Sequence, residues 1–520
     1  NALISILRGI SIRIPLLIYG AELKEGEEIT METLPNLVDD ISWDEFMPKG
    51  VTKDLYRQFV KFYDEDVIRS AARQIRDTAR AADLMPPTER VQRIALIFSH
   101  FHNPDKDTVL TPWRVVNMHI SDCLGGYKFL AEDNETELNE PVLIERGEVT
   151  KSVFADPDTH ILEINSKTGL YPLYMAYTTY RYARQRFIDK HTLARDLTRE
   201  EEQAIWDDVV SRNIFVICKT KMARSITRRT LIGFRDKVST NLHAYDDLLN
   251  QVQNKKAQFI KSVCSPSSWN YKYVKSNDML KFNAIVGNPP YQETTVGTSD
   301  RPVYHLFMDV AFSLSPRVSL ITPARYLFNA GKTPREWNNR ILNDEHFRVV
   351  WYKANSTDVF PNVDIKGGVA VMYRDSTQKF GKIGSYTAYP ELNGIYGKVV
   401  DNDNFSPLSN VIYAQNKFNL EELYKYHPEL RKVIGSDGRE KRLTTSIFSL
   451  EDILTIKPSA KTDIKILGLV SNNREWRYVK RRYLEDHPNL EKYKVLVPKS
   501  NGTGSIGEVL STPLIGEPLI

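Results

Sequence analysis

An α/β fold is what this 520-residue chain predicts, on three observations. The apolar run Phe282-Asn283-Ala284-Ile285-Val286-Gly287 reads as a buried strand and stops abruptly on Asn288-Pro289-Pro290-Tyr291. Further apolar runs of strand length stand at Ile161-Leu162-Glu163-Ile164, Asn213-Ile214-Phe215-Val216-Ile217-Cys218 and Val318-Ser319-Leu320-Ile321. Helical spacing occurs around them, as in Trp113, Val116, Ile120 and Leu124, and across residues 303–314. A polar, rigid turn at the C-terminal end of a buried strand is where open α/β sheets bind ligands.

The turn itself is an acceptor site. Two prolines fix φ and remove two backbone donors, so neither a ladder nor a helix continues through them, and the carbonyls nearby stay free to accept. An amino or amide nitrogen set between the Asn288 side-chain oxygen and the Pro289 carbonyl would donate both hydrogens and keep its lone pair for an electrophile. Tyr291 offers a flat face on which a planar ring can stack.

Strand and turn together resemble motif IV of the S-adenosylmethionine-dependent amino-methyltransferases. The order of the remaining segments resembles the γ class, in which cofactor motifs precede the catalytic one and a target-recognition domain comes last. The resemblance runs from about His100 to about Ile395. It implies a Rossmann-like, mostly parallel seven-stranded sheet with helices on both faces, a helical N-terminal region and an α+β C-terminal recognition domain. The implied boundaries are 1–98 for the helical or coupling region, 99–395 for the methyltransferase and 396–520 for target recognition.

Before residue 98 the pattern is mostly helical after one short apolar strand near Arg13 to Tyr19. Between Asp64 and Leu84, Val67, Ala71, Ile75, Ala79 and Ala82 alternate with Arg69, Arg73, Arg76 and Arg80, which form a stripe on one helical face. The stripe is open to two readings, a track for phosphates or a solvated face that interacts with acids such as Asp66 and Asp77. Thr111-Pro112-Trp113 resembles motif X, with Thr111 as a helix cap, Pro112 at the first helical position, and Thr111 implied in cofactor binding. An acidic loop is expected around Glu132 to Glu148.

Residues 160–169, His-Ile-Leu-Glu-Ile-Asn-Ser-Lys-Thr-Gly, resemble motif I, which assigns Glu163 to the cofactor's ammonium end and Asn165 and Gly169 to cofactor binding. They depart from the family in keeping one glycine and placing Lys167 at another's position, which implies an altered loop path. A long helical insertion follows. The second cofactor strand ends on Cys218, where the family has an acidic residue for the ribose hydroxyls, so no ribose ligand is assigned. Gln258-Phe259-Ile260-Lys261-Ser262-Val263 reads as a third strand, leading into a loop at residues 265–270 that could line the adenine. Thr322-Pro323-Ala324-Arg325-Tyr326-Leu327 resembles motif VI. Phe360-Pro361 and residues 368–373 resemble the approach to motif VIII, which makes Tyr373 the candidate for stacking on a flipped base.

Beyond residue 396 the patterning is irregular. Arg474, Trp476, Arg477, Tyr478, Lys480, Arg481, Arg482 and Tyr483 form an aromatic-basic cluster, with Arg474, Arg477, Lys480, Arg481 and Arg482 as the DNA-binding candidates. An exposed helix face is the plainer reading of the same residues. Residues 493–502 read as a strand leaving for a Gly-rich turn and resemble an element of single-chain restriction–modification methyltransferases.

Composition bounds the rest. With 41% hydrophobic residues the chain can bury a large core, and 70 basic against 66 acidic residues leave a formal charge of only +4, so local charge must carry any nucleic-acid contact. Cys123, Cys218 and Cys264 lack metal or disulfide spacing, which implies a reducing, cytoplasmic setting. The segment 10–19 is too short to span a bilayer and carries Arg13 and Pro15. Ala330-Gly331-Lys332-Thr333 imitates the end of a phosphate loop without its first glycine. Neither a nuclease centre nor a metal site is read from the sequence, the His100-Phe101-His102 pair included. The start at Asn1 and the end on Leu519-Ile520 are expected of a portion of a longer polypeptide.

The function implied is adenine-N6 methylation of double-stranded DNA in a bacterial restriction–modification system, with S-adenosylmethionine as cofactor, alongside nuclease or helicase parts of a longer chain or complex and no membrane. Two alternatives stay open: a protein glutamine-N5 methyltransferase, whose amide nitrogen fits the same acceptor pair, and a DNA-binding module that has lost catalysis on the same fold.

Overall fold

The computed structural model describes residues 2–24, 26–101, 109–192, 194–273, 279–293, 301–400, 402–413, 417–434, 445–470, 473–490, 492–496 and 514–516. Two compact units divide the chain, Asn1–Ala388 and Tyr389–Ile520. Residues 1–98, expected to form a region of their own, therefore belong to the first unit.

The first unit is built on a seven-stranded sheet: β1 (Ile161–Ser166), β2 (Ile214–Cys218), β3 (Asn241–Ala244), β4 (Ala284–Gly287), β5 (Arg317–Pro323), β6 (Phe347–Lys353) and β7 (Val369–Asp375). Their spatial order is β6-β7-β5-β4-β1-β2-β3. The pairs β1–β2, β2–β3, β1–β4 and β4–β5 are parallel, whereas β7 runs antiparallel to both β5 and β6. Every residue of β1, β2 and β4 is buried, which is why these strands read as continuous apolar runs. Their side chains alternate between two cores. Ile214, Val216 and Cys218 of β2 enter one, Phe215 and Ile217 the other.

Helices cover both faces. On the first lie α1 (Ile14–Gly20), α2 (Asp40–Phe46), α3 (Glu65–Ala82), α4 (Trp113–Cys123), α5 (Leu170–His191), α6 (Arg199–Asn213) and α7 (Lys221–Ile232); on the second, α8 (Lys256–Cys264) and α9 (Tyr304–Leu314). Gly169 opens α5 at φ 76°, and a Cβ there would meet the Thr227 Cα at 3.0 Å. The glycine thus serves the close approach of α5 to α7 as well as its left-handed turn.

Several expected elements differ. Arg13 to Tyr19 is not a strand. Residues 14–20 form α1, whose Leu16, Leu17, Ile18 and Tyr19 are all buried, so an apolar run without periodicity was equally compatible with a buried helix. The apolar stretch 3–20 has the length of a membrane-spanning helix, yet it folds as two helices, Ala2–Ser11 and Ile14–Gly20. Residues 258–263 lie in α8, where Phe259 and Val263 are buried one turn apart, and the third strand of the sheet is Asn241–Ala244 instead. The acidic segment is a hairpin, Gly126–Leu130 against Glu137–Ile144, turned by Asp133, whose carboxylate accepts from the Glu135 and Thr136 amides at 2.9 Å each.

The arginine stripe of α3 is only in part bound into the protein. Arg76 is 6% exposed and donates to the Ile18 and Ala21 carbonyls at 3.2 and 2.8 Å. Arg69 and Arg73 pair with Glu28, and Arg80 with Asp77. Arg76 is thereby withdrawn from the stripe, and the other three match the reading of a solvated face paired with acids.

The second unit has a small core around Leu420, Leu423, Phe448, Leu454, Ile464, Val479 and Tyr483. A hairpin, Ile464–Val470 against Asn473–Val479, carries Arg474, Trp476, Arg477 and Tyr478, so half of the aromatic-basic cluster lies on a strand, while Lys480 follows it and Arg481–Tyr483 form a short 3-10 turn. The strand expected over 493–502 is formed at Lys494–Leu496, paired with Leu514–Gly516, while residues 497–502 lie outside the described ones.

Candidate active site at the sheet's switch point

β1 pairs with β2 on one side and β4 on the other, so the chain leaves the C-terminal ends of β1 and β4 in opposite directions and a crevice opens between them. Gly287, the last residue of β4, sits at φ 147°, and a Cβ on it would stand 2.7 Å from the Ile164 carbonyl oxygen. Only glycine lets the two strand ends come this close.

The Asn288 turn follows at once and is locked from two sides. Asn288 Nδ2 donates to Thr111 Oγ1 at 3.2 Å, and the Asn288 carbonyl accepts from Asn165 Nδ2 at 2.9 Å. Spending an amide hydrogen on Thr111 determines which way the amide points. Asn288 Oδ1 is buried without a hydrogen-bond partner, and among the described residues no backbone amide donates to the Pro289 carbonyl. Thr111 does not cap α4, whose N-cap is Pro112 with no side-chain bond. Its hydroxyl orients Asn288, so the expected capping role is corrected, and so is Pro112 at the first helical position. The Tyr291 ring packs against the first core. Burial pushes its hydroxyl well up, with the neighbouring Asn288 side chain acting the other way.

On β1, Glu163 is 5% exposed and its Oε2 has no hydrogen-bond partner. Burial raises its carboxyl to about 8, with a hydrogen bond from Ser166 acting to lower it. Asn165, two residues on, takes the left-handed conformation at φ 69°, and its Oδ1 is likewise buried and without a partner. A buried acceptor that lacks a donor costs roughly 1–3 kcal/mol, and such groups call for an explanation. Glu163 and Asn165 on β1 and Asn288 just after β4 present three of them.

The cleft above has a volume of about 460 Å³, within the range for small-molecule sites, and its walls include Asn165, Lys167, Lys219, Asn288, Pro290 and Tyr291. Asp44, Glu45 and residues 47–52 line it as well. Nothing in that segment's local pattern marks it, because its place follows from long-range packing of α2. Lys167 turns toward Glu45, with Nζ 3.4 Å from Oε1, and Lys219, just after β2, pairs with the other Glu45 oxygen. Cys218 is fully buried, its thiol pushed upward by burial and 3.9 Å from Thr227 Oγ1. It presents no charged acceptor.

Other expected site residues lie elsewhere. Tyr373, expected to stack on a base, is 1% exposed inside the first core, and its hydroxyl donates to Asp375 Oδ2 at 3.1 Å. Its position on the core face of β7 closes it to any base, which corrects that expectation. The loop at 265–270 does not line the cleft; its Trp269 is 8% exposed and donates to the Val263 carbonyl at 2.9 Å. Thr333, in the stretch that imitates a phosphate loop, contacts the Tyr304 hydroxyl at 2.6 Å. In the second unit Arg477 is 3% exposed and held by Leu454, Glu475 and Glu451, so it is a structural residue and not a surface contact. Arg481 pairs with Asp486 and Arg482 lies over the Tyr426 ring. Arg474, Lys480 and Arg482 are exposed.

Known proteins share parts of this chain. A curated relative from Mycoplasma pneumoniae (strain ATCC 29342 / M129 / Subtype 1), named an uncharacterized adenine-specific methylase, is 29% identical over 129 residues, 22% of this chain and 31% of the relative. The matched part thus spans about a third of that protein's length. Among solved structures, the ATP-dependent Type ISP restriction-modification enzyme LlaBIII bound to DNA aligns with a TM-score of 0.41 and 12% identity over 99% of this chain and 39% of its own. The methyltransferase subunit of a type I restriction-modification system from Streptococcus thermophilus aligns with a TM-score of 0.32 and 10% identity over 66% of this chain and 67% of its own. Residues 212–360, which run from the start of β2 past the Asn288 turn, match the family of the Eco57I restriction-modification methylase.

Proposed function

We propose that this chain carries the modification and recognition functions of a restriction–modification enzyme and methylates the N6 amine of adenine in double-stranded DNA. The observation that carries the proposal is the Asn288 turn at the sheet's switch point, with Asn288 Oδ1 buried and without a hydrogen-bond partner. The match of residues 212–360 to a restriction–modification methylase family supports it, as does the adenine-specific methylase name of the Mycoplasma relative. On this reading the sheet is the Rossmann-like core of a γ-class methyltransferase of the single-chain type, residues 1–98 couple it to nuclease or helicase parts, and the second unit recognises the target.

S-adenosylmethionine, when bound, supplies an electrophilic methyl group. The fit of this chain to such a cofactor rests on the buried acceptors of Glu163 and Asn165, which suit a cation, beside a cleft of small-molecule size. Gly169 keeps the loop after β1 in its course. A target adenine leaves the duplex and stacks on Tyr291. Its amine donates one hydrogen to Asn288 Oδ1 and one to the Pro289 carbonyl, which turns the nitrogen lone pair toward the cleft. Thr111 holds Asn288 in the accepting orientation. The three unpaired cysteines suit a reducing cytoplasm. Lys167, whose departure from the family pattern suggested an inactive module, is drawn aside by Glu45 and leaves the strand-end acceptors in place.

The test is calorimetric binding of S-adenosylmethionine, followed by methyl transfer onto mixed-sequence duplex DNA with mass-spectrometric detection of N6-methyladenine. Cofactor binding with methylated adenine in the product is the expected outcome. Binding without methylated DNA, on duplexes covering all short sequences, would sink the assignment.

A further inference from the structure

The N-terminal segment that lines the cleft is held rigidly. Asp39 caps α2 by accepting from the Ser42 amide at 3.1 Å, Ser42 Oγ accepts from the Met222 amide of α7 at 3.0 Å, and Trp43 Nε1 donates to the Val51 carbonyl at 2.8 Å. These bonds fix α2 and the residues after it against the ends of β1 and β2, and they place Glu45 between Lys167 and Lys219. The Glu45 and Lys167 side chains are 10% and 13% exposed, and Lys219 is 41% exposed. Two ammonium groups therefore face a single carboxylate inside the cleft. The other charged walls are Asp44 and Lys49, both at its exposed rim, and the half-buried Glu293. Asn165, on the same wall as Lys167, contributes a buried oxygen without a partner.

Resting on the function proposed above, we infer that Lys167 and Lys219, clamped by Glu45, form the anchor for the α-carboxylate of the cofactor's amino-acid end. That carboxylate is the only anionic group of S-adenosylmethionine, and of the cleft's cations Lys167 is largely buried, Lys219 is partly exposed beside it and Lys49 stands at the rim. Charge-assisted bonds from ammonium to carboxylate are about twice as strong as neutral ones. The unpartnered oxygens of Asn165 and Glu163 suit the ammonium of the same amino acid, so acceptors and donors match both of its charges. A glycine at position 167 would lack the cation, and the lysine is thus a specificity device. Glu45 acts through the lysines as a positioning residue.

Calorimetry with two ligands that differ only in the carboxylate, S-adenosylhomocysteine and its decarboxylated analogue, tests the inference without catalysis. The parent protein is expected to prefer the carboxylate-bearing ligand by about tenfold or more. Lys167→Met should abolish that preference, with affinity for the analogue changed less than about twofold. Lys219→Met, at the more exposed position, should reduce it in the same direction and serves should Lys167→Met fail to fold. Equal binding of both ligands by the parent, or an unchanged preference in the variants, overturns the carboxylate anchor alone. A parent that binds neither ligand overturns it together with the methyltransferase reading.

Discussion

In the crevice of the first unit the informative polar atoms are few, buried and unpartnered; on the second unit's hairpin and the turn after it they are many, charged and either exposed or tied down. One side-chain oxygen each of Asn165, Asn288 and Glu163 forgoes a hydrogen bond, on or just after strands that are wholly buried. Arg477, in contrast, is surrounded by partners, and Arg474, Lys480 and Arg482 face solvent. A site for chemistry needs acceptors fixed in advance and left open, whereas a surface for a polyanion needs only charge within reach of phosphates. The α3 stripe is divided: Arg76 is buried on backbone carbonyls, whereas Arg69, Arg73 and Arg80 hold exposed pairs with Glu28 and Asp77.

The sharpest way to break this contrast is Asn288→Ala. Transfer to DNA should fall by roughly a hundredfold or more, the scale for losing one preorganised polar contact, while affinity for S-adenosylhomocysteine stays within about twofold. Single-turnover transfer rates that match the parent's would remove the turn from the chemistry.

A titration sharpens the same side. Glu163 keeps its proton up to about 8 in the folded protein, against an ordinary value of 4.5. The folded state therefore holds a proton that the unfolded chain has released, and stability falls as pH rises from about 4.5 to about 8, with no further loss from this group above that. Glu163→Gln should flatten this slope and melt several degrees above the parent at pH near 8, without ligand. An ammonium ligand requires the ionised form, so the parent's affinity for S-adenosylhomocysteine should climb by up to about tenfold per pH unit toward 8, and that climb should vanish in the variant. Parallel melting curves for the two proteins would show that Glu163 is not buried as a neutral acid.

On the other side, Arg474→Ala, Lys480→Ala and Arg482→Ala together should lower the slope of log affinity for duplex DNA against log salt by up to about one per lost contact. Cofactor binding should not change. Arg477→Ala should instead destabilise the second unit by about 2 kcal/mol through the loss of its buried bonds, read by denaturant unfolding. A triple variant with the parent's salt slope would leave the cluster as no more than a solvated surface. The smallest effect belongs to Arg73→Gln, which breaks an exposed pair with Glu28 and should alter neither melting nor the salt slope, because such pairs contribute little.

By itself the sequence determined the strands that build the crevice. β1, β2, β4 and β5 are buried on both faces, so they appear as apolar runs that end in Asn, Cys or Pro-rich turns, and α4 and α9 show their helical spacing directly. The Asn288 turn was legible for the same reason, since prolines and a polar residue after such a run leave few local conformations. Where apolar residues run on without a period, as at 14–20 and 258–263, helix and strand satisfied the same letters, and only packing against neighbours chose between them. Only tertiary structure decided that Thr111 aims the Asn288 amide, that Glu45 reaches Lys167 and Lys219 from far along the chain, and that Tyr373, Arg76 and Arg477 turn inward. Each of those outcomes is a contact between residues distant in sequence, and a side chain's composition carries no record of which partner it will meet.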